Sequence, residues 1–200
     1  MKDITLEVSQ KRKPAHDIAP IILNRWSPRS LKPDVSDDEL MSLFEAARWA
    51  PSSYNAQPWR FIYAKRNTKQ WDTFLNLLVE FNQGWAKNAA VLIVVITRKN
   101  FEHNEKPAVT HMFDAGAAWE NLALEATSRG LIAHGMEGFD YIKAKIVLGI
   151  PDTYDVCAMI AIGKHGKKED LPESLQKSEF PSDRKPLNEI IAEGKFMFKK

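Results

Sequence analysis

The sequence predicts a single layered domain that combines helices and strands, an α+β or α/β arrangement, and three observations carry that expectation. Two hundred residues, 44% apolar and 27% charged, have the size and composition of one folded domain with a sizeable core. The run Ala89–Ile96 is apolar, rich in β-branched residues and free of polar alternation, so it reads as a strand covered on both faces and therefore central. Helical and strand patterns are interspersed around it. No internal repeat, low-complexity tract or dividing linker interrupts them, so 1–200 is taken as one domain.

In chain order, Asp17 is expected to cap a helix through DIAPIILN, with Pro20 in the first turn and an end near Arg25. RWSPRSLKPD, rich in Pro and Ser, reads as loop. Ser36 and Glu39 form a capping box, and Leu40, Leu43, Phe44 and Ala47 then fall on one helical face that Pro51 brings to an end. After the loop PSSYNAQP, WRFIYA reads as a strand, and Trp71, Phe74, Leu75 and Leu78 mark another amphipathic helix. A helix over Met112–Ser128 carries small residues at Ala115, Gly116, Ala117 and Ala118, which permit close packing, and stops at Arg129-Gly130. GLIAHGMEGFD reads as a glycine-punctuated segment leading to a short helix that ends at Gly149 before Pro151, and YDVCAMIAIG as the last strand. From Lys164 onward sixteen of thirty-seven residues are charged and prolines stand at 172, 181 and 186, which suggests an arm over about 164–200. Its end, Lys195 to Phe198, alternates as an added edge strand would.

Twenty-eight Lys and Arg against twenty-six Asp and Glu leave a net charge of +2, too small for a nucleic-acid binder. The opening MKDITLEVSQKRKPAHD has no apolar signal core and Ala89–Ile96 is too short to cross a bilayer, so no membrane partner and a cytoplasmic location are expected. Cys157 lies in an apolar run and reads as a buried, unreactive thiol. Of the five histidines, only His111 with Asp114 and His134 with Glu137 make tempting pairs. Neither has a third ligand nearby, so no metal site is expected. No G-x-G-x-x-G after a strand, Walker loop, G-x-S-x-G elbow or C-x-x-C is present, and no catalytic nucleophile emerges.

Three polar segments remain between apolar elements. Arg25-Trp26-Ser27-Pro28-Arg29 offers two guanidiniums and a hydroxyl, which could fork onto a phosphate or a flat heterocycle or merely form a solvated loop. Pro51-Ser52-Ser53-Tyr54-Asn55-Ala56-Gln57-Pro58-Trp59 presents two side-chain amides between stiffening prolines. Amides donate and accept at once and suit a ring edge with alternating N, O and N–H groups, though a plain capped turn uses the same residue types. Gly135-Met136-Glu137-Gly138-Phe139 allows close backbone approach to a planar group, or is simply a tight turn.

Together these segments resemble the FMN-dependent nitroreductases and their NAD(P)H flavin oxidoreductase relatives. That family shows an R-x-S-x-R element near the N-terminus, a P-S-x-x-N-x-Q-P-W block and a G-x-x-G-F-D element, and all three occur here in order. Arg184-Lys185-Pro186-Leu187 also looks like the family's closing basic motif, so the resemblance runs from Asp17 to about Ile191.

The resemblance implies an α+β fold with a mixed central sheet flanked by helices, in a domain-swapped homodimer with FMN at the subunit interface. It implies that Arg25 and Ser27 hold the FMN phosphate with Arg184, and that Arg29 lies near flavin N1 and O2 with Asn82 against the same edge. Pro51, Ser52, Ser53 and Asn55 would come from the partner subunit, and the arm over about 164–200 is expected to embrace that subunit. Gln57 belongs to the same block, Trp26 to the phosphate loop and Met136 to the third segment, where Glu137 and Gly138 would offer backbone N–H groups to flavin N5 and O4. Trp26 stands where many members carry a second Arg or His, and Ser182 where some carry a second basic residue. The implied activity is ping-pong transfer of hydride from NAD(P)H to a small-molecule acceptor such as a nitroaromatic or a quinone. The alternatives are a specialised flavin enzyme of the same fold, acting in dehalogenation, dehydrogenation or flavin fragmentation, and a non-catalytic FMN-storage protein.

Overall fold

The computed structural model describes residues 3–198. Five strands form one sheet: β1 (Leu31–Lys32), β2 (Trp59–Lys65), β3 (Val91–Arg98), β4 (Leu131–Met136) and β5 (Tyr154–His165). The helices are α1 (Leu6–Ser9), α2 (Pro20–Asn24), α3 (Asp37–Arg48), α4 (Trp71–Leu75), α5 (Glu80–Ala86), α6 (His111–Ser128), α7 (Tyr141–Val147) and α8 (Glu173–Gln176). β2 pairs with β3, β3 with β5 and β5 with β4, while β1 adds two residues beside the end of β5, Leu31 opposite His165 and Lys32 opposite Lys164. The α+β class is as expected. Within it, every pairing among the described residues is antiparallel rather than mixed, because each strand meets its neighbours by a reversal of direction and none by a parallel crossover.

The run that reads as a covered strand is β3, and both of its faces are buried. Val91, Ile93 and Val95 face a core shared with Leu40 and Leu43 of α3 and with Ala118 and Leu122 of α6. Leu92, Val94 and Ile96 face a second core of Trp71 and Phe74 of α4, Trp85 of α5 and Ala144 of α7. Alternate residues of one strand thus bind two helical layers, which is why no polar alternation interrupts the run. The capping box at α3 forms as expected, Ser36 Oγ accepting from Glu39 N and Glu39 Oε2 from Ser36 N. Ala115 and Ala118 of α6 are buried toward the sheet, whereas Gly116 is exposed. Gly130 and Gly149 end α6 and α7 in the left-handed region, at φ 70° and 63°.

Several expectations are corrected. α2 starts at Pro20 with Ala19 at its cap, not at Asp17, because the residue before a proline is pushed out of the helical region, and Ala19 sits at ψ 125°. The pattern from Trp71 to Leu78 does not make one helix: α4 stops at Leu75, and Leu78 instead forms a bridge to Phe139. RWSPRSLKPD contains β1, and the first half of GLIAHGMEGFD is β4. The glycine that suggested a loop there, Gly135, lies inside the strand because the Trp119 ring covers it, 3.1 Å from where a Cβ would stand. The β3–β5 register slips between Val95 and Ile96, so Cys157 is a bulge residue without a cross-strand partner. It is therefore half-buried rather than buried, with Sγ 3.5 Å from Met112 Sδ, and burial pushes its pKa up to about 12. The segment from residue 164 packs against the rest of the chain as far as Pro181: Leu171, Leu175 and Glu179 are buried. Residues 182–197 are exposed, and Lys195 to Phe198 join no strand of this chain.

Candidate functional site

α2 delivers the chain into residues 25–30, a loop held from three sides. Below it, Arg12 is 7% exposed and spends its guanidinium on backbone carbonyls: Nη1 donates to Leu23 O and to Arg25 O (2.8 Å), and Nε to Ser182 O (2.8 Å). On another side, Glu179 Oε1 accepts from the backbone N–H groups of Arg29 (2.7 Å) and Ser30 (2.8 Å). Ser30 Oγ donates to Lys167 O at 2.5 Å, and Gly166 N donates to Ser30 O at 2.8 Å. Gly166 is required here, since a Cβ would stand 2.4 Å from Ser30 Oγ.

The third side is β4. His134 Nδ1 lies 2.9 Å from Pro28 O, and its ring packs against Trp85 at 4.5 Å between centroids. A carbonyl only accepts, so Nδ1 carries the proton. Burial, with Arg29 and Arg25 nearby, drives the His134 pKa down to about 4, so the imidazole is neutral at pH 7.

Side chains on this loop converge. Arg25 Nη1 is 3.4 Å from Ser27 Oγ, and Arg25 Nε is 3.5 Å from Glu120 Oε1. Arg29 Nη1 stands 4.0 Å from Glu179 Oε2, yet Arg29 Nε and Glu179 Oε2 are buried without a hydrogen-bond partner. Arg184 is exposed and donates to Ser182 and Asp183 of its own segment. Arg12 Nε and Arg184 Nη1 both donate to Ser182 O, at 2.8 and 3.2 Å, so these two guanidiniums are neighbours, and after burial the charges of Arg184 and Arg25 also lower the pKa of Arg12. Trp26 packs edge-on against His165 at 5.5 Å.

Past the end of β4, Asn82 Nδ2 donates to Gly138 O (3.1 Å) and Asn82 Oδ1 accepts from Trp85 Nε1 (3.3 Å). Gly138 is fastened again by Val79 N. A Cβ there would stand 2.6 Å from Asn82 Nδ2, so any side chain would displace the Asn82 amide. Met136 is buried opposite Met159 of β5, while Glu137 is exposed. The first and third sequence segments are therefore linked through β4, whose His134 touches Pro28 O of the first and directly precedes Gly135 of the third.

Residues 51–57 are fastened elsewhere, to the start of α6, where Ser53 N donates to Asp114 Oδ2 at 3.2 Å. Tyr54, Asn55 and Gln57 all have positive φ, at 51°, 54° and 47°. Ser52 Oγ accepts from Gln57 N, and Gln57 Nε2 donates to Asn55 O and Oδ1. Pro51 and Asn55 are exposed, and Tyr54 is 87% exposed with its ring edge-on to Phe101. His111 faces Asp155 across 3.7 Å rather than Asp114.

Arg12 and Glu179 escaped the reading of the sequence. Arg12 sits in a basic stretch that reads as solvated, and Glu179 in a charged one. Ser182 lies 170 residues from Arg12, and Arg29 and Ser30 lie 150 and 149 residues from Glu179, and no local pattern announces such pairings.

A model of the Nitroreductase family matches residues 22–164. The chain belongs to the nitroreductase family. A crystal structure of an oxidoreductase containing FMN is 44% identical, with a TM-score of 0.90 over 94% of this chain and 97% of that one. The oxygen-insensitive NADPH nitroreductase of Helicobacter acinonychis is 27% identical, over 78% of this chain and 85% of its own. The major NAD(P)H-flavin oxidoreductase of Aliivibrio fischeri is 29% identical over 47% of this chain and 45% of its own. Among the described residues no helix of this nitroreductase-family chain is long and apolar enough to cross a membrane.

Proposed function

We propose that this chain is an FMN-dependent oxidoreductase that takes hydride from NAD(P)H and reduces nitroaromatic, quinone or related small-molecule acceptors in two half-reactions at one site. The observation that carries the proposal is the placing of Arg25 and Arg29 on one loop whose backbone is already held by Arg12 and Glu179, with Arg29 Nε buried and lacking an acceptor and with Ser182, which accepts from Arg184, tied to that loop by Arg12. A phosphate and an acceptor-bearing ring edge are the chemistry that such donors fit. The names of the relatives, an FMN-containing oxidoreductase, an NADPH nitroreductase and an NAD(P)H-flavin oxidoreductase, support the same reading.

When bound, FMN supplies the hydride chemistry, and the protein's part is to hold and bias it. Arg25, Ser27 and Arg184 bind the phosphate, and Arg29 offsets negative charge at the pyrimidine edge. His134, neutral at pH 7, fixes Pro28 and with it the loop, adding no charge of its own. Asn82 positions Gly138, where the missing side chain leaves the backbone of 137–138 open to close approach. Residues 51–57 serve the site of the partner subunit in a homodimer. No side-chain acid or base is assigned a proton.

Anaerobic mixing of the FMN-loaded protein with NADH and with NADPH tests the activity: rapid bleaching of the flavin absorbance by at least one is expected, and no bleaching by either overturns the proposal. Arg25→Ala tests the site. One charge-assisted hydrogen bond is worth about 1.5–3 kcal/mol, so FMN affinity should fall about tenfold to a hundredfold in a titration of the apo variant. Unchanged affinity would remove Arg25 from the phosphate.

A further inference from the structure

We propose that Arg12 is a positioning residue for the phosphate end of this site: it pins Ser182 to the end of α2 and so sets Arg184 beside Arg25. The inference rests on the flavin reading above and goes beyond it, because Arg12 lies outside every motif of the resemblance and outside the matched residues 22–164.

Three features carry it. The guanidinium is almost fully buried, although its neighbours include two further arginines, Arg184 and Arg25, and burial and both of these charges oppose its own. A buried cation among cations is costly, and Asp183 is the acid that partly offsets it. What holds Arg12 in place is geometry: the planar fork reaches carbonyls of two separate segments, Leu23 and Arg25 on one and Ser182 on the other. A dianionic phosphate at Arg25 and Arg184 would relieve the crowding, so the same arrangement that repels when empty attracts when filled. Beyond Pro181, residues 182–184 are exposed, and this bond from Arg12 ties Ser182 to the loop. The signature of such a role is dependence on the phosphate, since Arg12 touches no ligand itself and is proposed to act by placing Arg184 through Ser182.

The test uses full-length apo protein titrated with FMN and with riboflavin, which lacks the phosphate, for wild type, Arg12→Gln, Arg184→Ala and the double variant. Arg12→Gln should weaken FMN about tenfold and riboflavin less than twofold. The double variant should be no weaker than the poorer single, because Arg12 acts through Arg184. Equal weakening of FMN and riboflavin would make Arg12 merely structural, and additive losses would make it independent of Arg184. Either overturns the inference. If Arg12→Gln does not fold, Arg12→Lys keeps the charge while losing the fork, and it must show the same selective loss of FMN. A wild type that binds FMN no better than riboflavin would instead overturn the phosphate reading itself, and the role of Arg12 with it.

Discussion

Residues 25–30 and residues 51–57 are both short polar loops following a helix, yet they are held by opposite means. The first is clamped by side chains from distant segments: Arg12 on its carbonyls, Glu179 on its N–H groups, and His134 on Pro28 O. The second keeps three non-glycine residues at positive φ, and its internal bonds run mostly between Ser52, Asn55 and Gln57. Such backbone costs about 1–2 kcal/mol per residue and persists where surroundings over-determine it. One loop is thus fixed by the rest of its chain, and the other is strained and largely exposed.

The contrast breaks most easily at Glu179. Glu179→Ala leaves the buried N–H groups of Arg29 and Ser30 without an acceptor and should cost about 3 kcal/mol in urea unfolding. A loss under about 1 kcal/mol would mean that the loop is held by something else.

Acid gives the next effect. His134 has a folded pKa of about 4, below its ordinary value of 6.5, so between those values the unfolded chain binds more protons and stability falls as pH drops. The contribution is intact above pH 6.5, and about 2 kcal/mol of it should be gone by pH 5. His134→Gln should remove that slope from the difference between urea midpoints at pH 7.5 and pH 5, and an undiminished slope in the variant would contradict it.

The smallest effect is a near balance. Gln57→Gly relieves a left-handed residue but gives up unfolded-state entropy and the Nε2 bonds to Asn55, so stability should change by less than about 1 kcal/mol, while FMN binding weakens because the amide is lost. A loss above about 2 kcal/mol would show that the bonds of Gln57 far outweigh its strain.

These two regions also divide what sequence reveals. The box at Ser36 and Glu39, the two-faced run of β3 and the stop glycines Gly130 and Gly149 are local signals, and each is realised where expected. β4 was hidden because Gly135 looks like a turn until Trp119 covers it. The motifs at 25–29, 51–59 and 135–139 were legible as residue types. The clamp was not, because Glu179, and Arg12 in its bond to Ser182, act on partners brought near only by the finished fold.

If each flavin is held by the 25–30 loop of one chain and the 51–57 block of the other, a mixed dimer will gather two different defects into one site. Subunits carrying Arg25→Ala are combined with differently tagged subunits carrying Asn55→Ala and Gln57→Ala, and FMN binding is titrated on the purified mixed dimer and on each variant homodimer. If the site crosses the interface, both defects fall in one site and the other is unaltered, so the mixed dimer binds one FMN with wild-type affinity while neither homodimer does. A mixed dimer with no wild-type site would mean that both segments serve the same chain's flavin, and the account would be wrong.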